Sequence, residues 1–326
     1  MIKLYSISAF SFLFAMGVFL SSTNDAVKRN SVIELLESKG GDYSEKKPNF
    51  EIAGVSAEAG EQLFHNGFAQ KPNGGKTKKQ SKHFVCTSCH NVAKEDPDLS
   101  VSDPQARLIY TNERGLPFLQ GTTMYGAVNR STYYNGDYKK KYGDLVESAR
   151  YDIRSAIQLC ATECAQGREL KDWELESILA YLWTLELNLE DLGLTEEAAS
   201  KMNIDSVKAK YLQGSPATFL PPPPDRKEGS GLIGKSENGK LIYENSCLHC
   251  HYKGEYSFLH LDKSRLSFKH LKRNIGKFSR HSLYQVTRWG VPVKSGKRSY
   301  MPQYTEERMS KQQLADLRAY IEEQAS

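Results

Sequence analysis

The chain has 326 residues, 39% of them hydrophobic, and a net charge of +5 from 44 Lys and Arg against 39 Asp and Glu. That length and apolar content suffice for two modest cores but not for one large one. A small basic excess with mixed signs argues against nucleic-acid binding and for attraction of acidic partners or small anions.

Met1-Ile2-Lys3 precede an apolar run from Leu4 to Leu20, followed by Ser21-Ser22-Thr23. One basic residue ahead of such a run reads as a secretory signal over 1–22, which makes the body of the protein periplasmic or otherwise exported. No A-x-A cleavage site follows, and the run is near the lower length limit for crossing a bilayer. Retention as an inner-membrane anchor is therefore the alternative to cleavage. Residues 23–50 are polar and irregular and read as a tether.

A helix is expected from about Ser56, where Gly60-Glu61-Gln62-Leu63-Phe64 gives a G-x-x-x-F pattern. The small residue admits a second helix at close range, and the aromatic fills the crossing. A Gly- and Lys-rich segment with Lys71, Lys76, Lys78, Lys79 and Lys82 follows, as a solvated or partner-facing loop. It leads into Cys86-Thr87-Ser88-Cys89-His90, and the same C-x-x-C-H recurs at Cys247-Leu248-His249-Cys250-His251. Two thiols on about one helical turn reach the two vinyl groups of one porphyrin, and the adjacent histidine lies beneath the iron as its proximal ligand. Pooling the four cysteines into a zinc site would leave both histidines unexplained. Two covalently bound haem c groups are expected.

After His90 comes a polar, aromatic stretch with few helical signals, carrying Arg107, Arg114, Met124, Arg130 and tyrosines through Tyr133, Tyr134, Tyr138 and Tyr142. From Asp144 to Cys164, Leu145, Ala149, Ile153, Ile157 and Cys160 recur at helical spacing, with Gly167 as terminator. Asp172 is the expected cap of a closing helix with Leu175, Ile178, Leu179, Leu182 and Trp183. A short helix opening at Thr195, then Pro221-Pro222-Pro223-Pro224 and a Gly-rich segment, read as a linker over 191–230.

Residues 231–326 repeat the plan of 51–190. Gly239-Lys240-Leu241-Ile242-Tyr243 matches the earlier G-x-x-x-F, and the capping box Ser310-x-x-Gln313 opens a last helix. There Leu314, Leu317, Ala319, Tyr320 and Ile321 are spaced as Leu175, Ile178, Ala180, Tyr181 and Leu182. The expected fold is all-α, two tandem class I cytochrome c domains, the first with large insertions.

The C-x-x-C-H motif fixes one axial ligand of each iron, and the other sets its potential and reactivity. In the second domain Met301 is the candidate, in Ser299-Tyr300-Met301-Pro302, where the proline fixes the loop that aims the sulfur. The first domain has no M-P before its closing helix. Its corresponding segment runs Ile157-Gln158-Leu159-Cys160-Ala161-Thr162-Glu163-Cys164-Ala165-Gln166-Gly167-Arg168. Here the chain resembles the di-haem thiosulfate dehydrogenase/tetrathionate reductase family, and more loosely the sulfur-oxidising di-haem cytochromes with a cysteine-ligated haem. Those proteins place a cysteine shortly before a glycine ahead of the closing helix, and Cys160 stands seven residues before Gly167. The resemblance implies Cys160 as the thiolate ligand and catalytic residue of the first haem, a His/Met second haem, and a sulfur anion such as thiosulfate as substrate. The added Cys164 and the tyrosine-rich insert depart from the family, and replacing Cys164 is expected to matter little.

Other roles for Cys160 remain open: a disulfide with Cys164, which would be strained on a helix, or a small buried apolar residue. Met124, His83 and His65 are the alternative ligands. Arg130 and Arg168 are candidates for holding an anionic substrate through the planar guanidinium fork, against the duller reading of ordinary salt-bridged arginines. Thioether ligation raises a haem's potential and an anionic thiolate lowers it, so electrons would enter at the first haem and leave through the second. Exposed Lys269, Lys272, Arg273, Lys277 and Arg280 could steer an acidic redox partner protein there. The alternative function is a plain electron carrier without substrate chemistry.

Overall fold

The computed structural model describes residues 31–294 and 297–326. The apolar run and the signal-or-anchor segment 1–22 lie outside them. The described residues are all-α, with isolated β-bridges and no strand. In chain order the first part holds α1 (Val32–Ser38), α2 (Ala57–Asn66), α3 (Pro104–Glu113), α4 (Gly136–Tyr142), α5 (Ile153–Leu159), α6 (Asp172–Trp183), α7 (Glu196–Lys201) and α8 (Ile204–Tyr211). The second holds α9 (Ser236–Ile242), α10 (Leu248–His251), α11 (Arg265–Asn274), α12 (Leu283–Trp289) and α13 (Lys311–Gln324).

Two helix crossings, built alike, organise the chain. In the first, α2 lies on α6, and a Cβ added to Gly60 would sit 1.8 Å from the Ser177 carbonyl oxygen. In the second, α9 lies on α13, and a Cβ on Gly239 would sit 2.0 Å from the Asp316 carbonyl oxygen. Only glycine permits that approach. One turn on, Phe64 packs against Tyr181 with ring centroids 5.5 Å apart, and Tyr243 against Tyr320 at 5.8 Å. All four rings are buried, each contributing roughly 1.5–3 kcal/mol by area. The G-x-x-x-aromatic pattern does what its spacing predicts, twice.

The helix caps follow the sequence with small shifts. Ser56 caps α2, Thr195 caps α7, and Ser310 with Gln313 forms the capping box of α13. At α6 the cap is Lys171 rather than Asp172: the Glu174 carboxylate accepts the Lys171 backbone N–H at 2.9 Å. The helix expected from Asp144 begins only at Ile153, where the Asp152 carboxylate accepts the N–H groups of Arg154 and Ser155. Ahead of it Leu145 is exposed.

The segment read as a tether over 23–50 differs most. Ser31 caps α1, whose Val32, Ile33 and Leu36 are buried in the first core along with Tyr43. Likewise α7 and α8, within the expected linker 191–230, send Ala199, Val207 and Leu212 into that core. In both cases a short apolar stripe beside a good cap outweighs a polar average composition. The second core takes in Leu108 of α3 and Phe118 beside its own Ile242, Phe268, Leu317 and Ile321. The first half's insertion thus forms a wall of the second core.

Candidate functional site

The first C-x-x-C-H is wound as a 3₁₀ turn over Cys86–Ser88, with the Val85 N–H donating to the Ser88 hydroxyl at 3.0 Å. His90 directs Nδ1 to the Thr122 carbonyl at 2.7 Å. In the second motif a π-turn, Tyr243–Cys247, runs into α10, and His251 directs Nδ1 to the Leu259 carbonyl at 2.8 Å. A carbonyl can only accept, so Nδ1 carries the proton in each ring and Nε2 keeps its lone pair for a metal. Burial lowers the pKa of both histidines and keeps them neutral. It also pushes the Cys86, Cys247 and Cys250 thiols up to about 12. Paired cysteines one turn apart and histidines turned by a carbonyl suit thioether attachment and ligation of haem c at both motifs. The two motifs abut, with the Cys250 thiol 3.9 Å from the Ser88 carbonyl oxygen.

Beyond the first motif, α5 ends in a π-turn over Cys160–Cys164, closed by the Ala165 N–H on the Cys160 carbonyl at 2.9 Å. Such turns recur at functional sites. The chain then reverses through Gln166, in the left-handed region at φ 53°, and the Gly167 N–H bonds the Ala161 carbonyl at 3.0 Å. Cys160 and Cys164 are free thiols in hydrogen-bonding contact. Hydrogen bonding from Cys160, then from the Tyr300 hydroxyl, holds Cys164 below the usual thiol range. The bond to Cys164, together with burial, pushes Cys160 well up. Cys86 and Cys89 add a smaller upward push. Around the pair stand half-buried Tyr134, Tyr138 and Tyr300, each raised chiefly by desolvation and next by neighbouring thiols or tyrosines. Tyr134 and Tyr138 meet edge to face at 5.2 Å, and Tyr300 meets Phe84 likewise at 6.3 Å.

Met301 follows Tyr300 directly and packs against the second core with Cys247 and Leu248. Its backbone pairs with Val291, N–H to carbonyl at 3.1 Å and the reverse at 2.8 Å. Gly290 turns behind this pair at φ 68°, where a Cβ would strike the Met301 carbonyl oxygen at 2.4 Å. Met124 sits elsewhere. Its N–H bonds the Asn91 carbonyl at 2.7 Å, on the loop next to the acceptor of His90 Nδ1. That puts its backbone on the histidine side of the first motif. His65 bonds the Tyr181 hydroxyl at 3.0 Å at the helix crossing, whereas His83 packs on Phe84 with a buried, unpartnered Nδ1.

The two candidate arginines are committed within the chain. Arg130 donates from Nη2 to the Thr123 carbonyl at 2.5 Å and is half-buried near Glu95 and Asp96. Arg168 grips Glu174 with both Nη atoms, each at 2.6 Å, and reaches the Lys78 and Glu169 carbonyls. Its fork is filled by one carboxylate.

A buried ion cluster went unread in the sequence. Glu95 is fully buried and accepts from Arg308 at 2.7 Å, Asn91 Nδ2 at 2.9 Å and the Thr123 N–H at 3.0 Å, with Arg107 at 3.8 Å. Arg308 also donates to the Leu119 and Gly121 carbonyls, beside Thr122. No periodicity signals such a cluster, since its members are charged residues on three separate loops and helices. For Tyr300 the available signal was its place next to Met301.

Residues 234–321 match the family described as "Cytochrome C oxidase, cbb3-type, subunit III". No curated protein matches the chain. Among solved structures, "Thiosulfate dehydrogenase (TsdBA) from Marichromatium purpuratum" in its "as isolated" form is similar at 15% identity and a TM-score of 0.29. The likeness covers 87% of this chain and 49% of that one, so the chain spans about half its length. At that TM-score the likeness carries no argument. The family match places a cytochrome c domain at 234–321, around the second C-x-x-C-H. The chain is an electron-transfer cytochrome with covalently bound haem c, and so one that works with a redox partner.

Proposed function

We propose that the chain is an exported di-haem cytochrome, with domains centred on the α2/α6 and α9/α13 crossings, that takes electrons from a sulfur anion such as thiosulfate. One haem would be held by Cys86, Cys89 and His90, with Cys160 opposite the histidine. The other would be held by Cys247, Cys250, His251 and Met301. Bound there, the haems supply one-electron redox capacity. The protein's part is to fix each imidazole through Thr122 or Leu259, to enclose the thiol pair in tyrosines, and to seat the two attachment segments in contact. The observation that carries the sulfur-anion reading is the Cys160–Cys164 thiol pair, set on one π-turn and hydrogen-bonded at Cys164 by Tyr300. A thiol at an electron-transfer centre is a group with which a sulfane sulfur can exchange. Electrons would leave through the second haem, where Lys269, Lys272, Arg273, Lys277 and Arg280 are all exposed and offer a basic face to an acidic acceptor.

A plain electron carrier is the second reading, favoured by Arg130 Nη2 and both Arg168 Nη donors being occupied inside the chain. Thiosulfate added to the oxidised protein separates the two. Growth of the reduced haem band supports the first, and reduction by dithionite alone supports the second. A pyridine haemochrome measurement of two haems per chain is expected, with Cys86→Ser/Cys89→Ser removing one.

A further inference from the structure

Cys164 has no part in the electron path above, yet the fold sets its thiol against that of Cys160. We propose that Cys160 and Cys164 form a dithiol/disulfide couple acting on the S–S bond of polythionates, with Cys164 as the resolving thiol. The proposal rests on the sulfur-anion reading and adds a second reacting atom to it.

Stoichiometry gives the reason. Joining two thiosulfates into tetrathionate removes two electrons, whereas the haem beside Cys160 would accept one and the other would have to pass on to the second haem. A dithiol/disulfide couple holds two at once. In the oxidising direction the acceptor protein withdraws two electrons, Cys160 would give up its place as haem ligand, the thiol protons leave, and the Cys160–Cys164 bond forms. One thiosulfate attacks Cys160 Sγ, breaking that bond, releasing the Cys164 thiolate and leaving thiosulfate bound to Cys160 through sulfur. A second thiosulfate attacks the bound sulfur, the Cys160 thiolate departs, and tetrathionate is released. The reverse sequence balances equally: dithiol and tetrathionate give disulfide, two thiosulfates and two protons.

The geometry suits the exchange. Cβ atoms four apart on a helix lie about 5–6 Å from one another, and a disulfide needs about 3.5–4.5 Å, so the turn must tighten slightly. It can do so locally. The turn is already widened to π spacing, and the chain leaves the helix just beyond Cys164 through the left-handed Gln166. Tyr300 stands at Cys164, where its hydroxyl can stabilise that thiolate as it is released.

The test uses the full haem-loaded protein, reduced, freed of reductant under anaerobic conditions and treated with tetrathionate. It is then acid-quenched, alkylated and analysed by intact mass and peptide mapping. Wild type is expected to release two thiosulfates per chain, beyond one for each ferrous haem reoxidised, and to show Cys160 and Cys164 joined and unalkylated. Cys164→Ser should release one and retain the mass of one bound thiosulfate on the Cys160 peptide, removable by dithiothreitol. Its haem spectrum checks that it has folded. A stable wild-type adduct with Cys164 alkylated would overturn the resolving role and leave the sulfur-anion reading standing. If Cys160 in wild type remains fully alkylated, with neither adduct nor disulfide, both fall.

Discussion

Replacing Arg308 with Met tests whether the buried ion cluster holds the two halves together. Glu95 is wholly buried, and the substitution removes its nearest cation, at 2.7 Å. The carboxylate would keep Asn91, the Thr123 N–H and the more distant Arg107 at 3.8 Å, so the loss belongs near the lower end of the ~3–5 kcal/mol typical of a broken buried pair. The Gly121 carbonyl also loses its 2.6 Å donor, adding about 1 kcal/mol. The sum is about 4 kcal/mol, or a fall in Tm on the order of 6 °C for a chain of this size. In the native protein burial raises the Glu95 pKa, but the Arg308 and Arg107 charges outweigh it and leave it lowered. Its contribution is therefore present above the unfolded carboxyl's pKa of about 4.3 and is lost as pH falls through the lower native value. Without Arg308 burial dominates, the folded pKa rises above the unfolded one, and the variant's penalty grows as pH rises past about 4. The gap between wild type and Arg308→Met should thus be widest at pH 7, narrower at pH 4, and close further below it, in thermal melts followed by circular dichroism. A deficit under about 1 kcal/mol, or one equal at the two pH values, would refute the assignment.

Burial, then the charge of Glu95, pushes Asp96 up to about 6, so its ionisation opposes folding as pH rises from about 4 through 6. Asp96→Asn should raise Tm at pH 7.5 and leave it unchanged at pH 4, as melts at the two pH values would show. Gly239→Ala places a methyl 2.0 Å from the Asp316 carbonyl oxygen and should abolish folding of the second half, read as loss of helical signal and of haem attached at Cys247 and Cys250. Met301→Ala should remove the weak near-infrared band of a Met-ligated ferric haem and lower one potential in a redox titration, and an unchanged spectrum would move the ligand elsewhere.

What the sequence revealed depended on whether a feature was local. The two C-x-x-C-H motifs, the G-x-x-x-aromatic helices and the Ser310 capping box are defined within a turn or two, and each appears where its spacing puts it. The α3 helix was missed although Asp103-Pro104 is a sound start, because the fully buried Arg107 interrupts its apolar pattern. The expected tether and part of the expected linker join the first core because a few well-placed residues suffice: Val32, Ile33 and Leu36 from one, Val207 and Leu212 from the other. Long-range assembly left no local mark. Nothing near Leu108 or Phe118 signals that they complete the second core, and nothing near Glu95 signals Arg308.

That assembly also explains why the first half carries so large an insertion. A minimal haem domain needs only two crossed helices, the attachment motif and a ligand loop. Here the residues after His90 run to the other half and return. Leu108 and Phe118 enter the second core, and the Phe118 N–H bonds the Asn245 carbonyl at 2.8 Å, just before Cys247. The second half answers with Arg308, which bonds the carbonyls flanking the acceptor of His90, and with Tyr300, which reaches Cys164. Each attachment site is thus braced by the other half on a different side. If both motifs hold haem, as proposed, two halves joined only by a polyproline segment would vary the distance between the haems, and electron transfer between them would vary with it. Mutual bracing removes that freedom. The Ser88–Cys250 contact at 3.9 Å is its consequence, and the insertion is the part of the sequence that produces it.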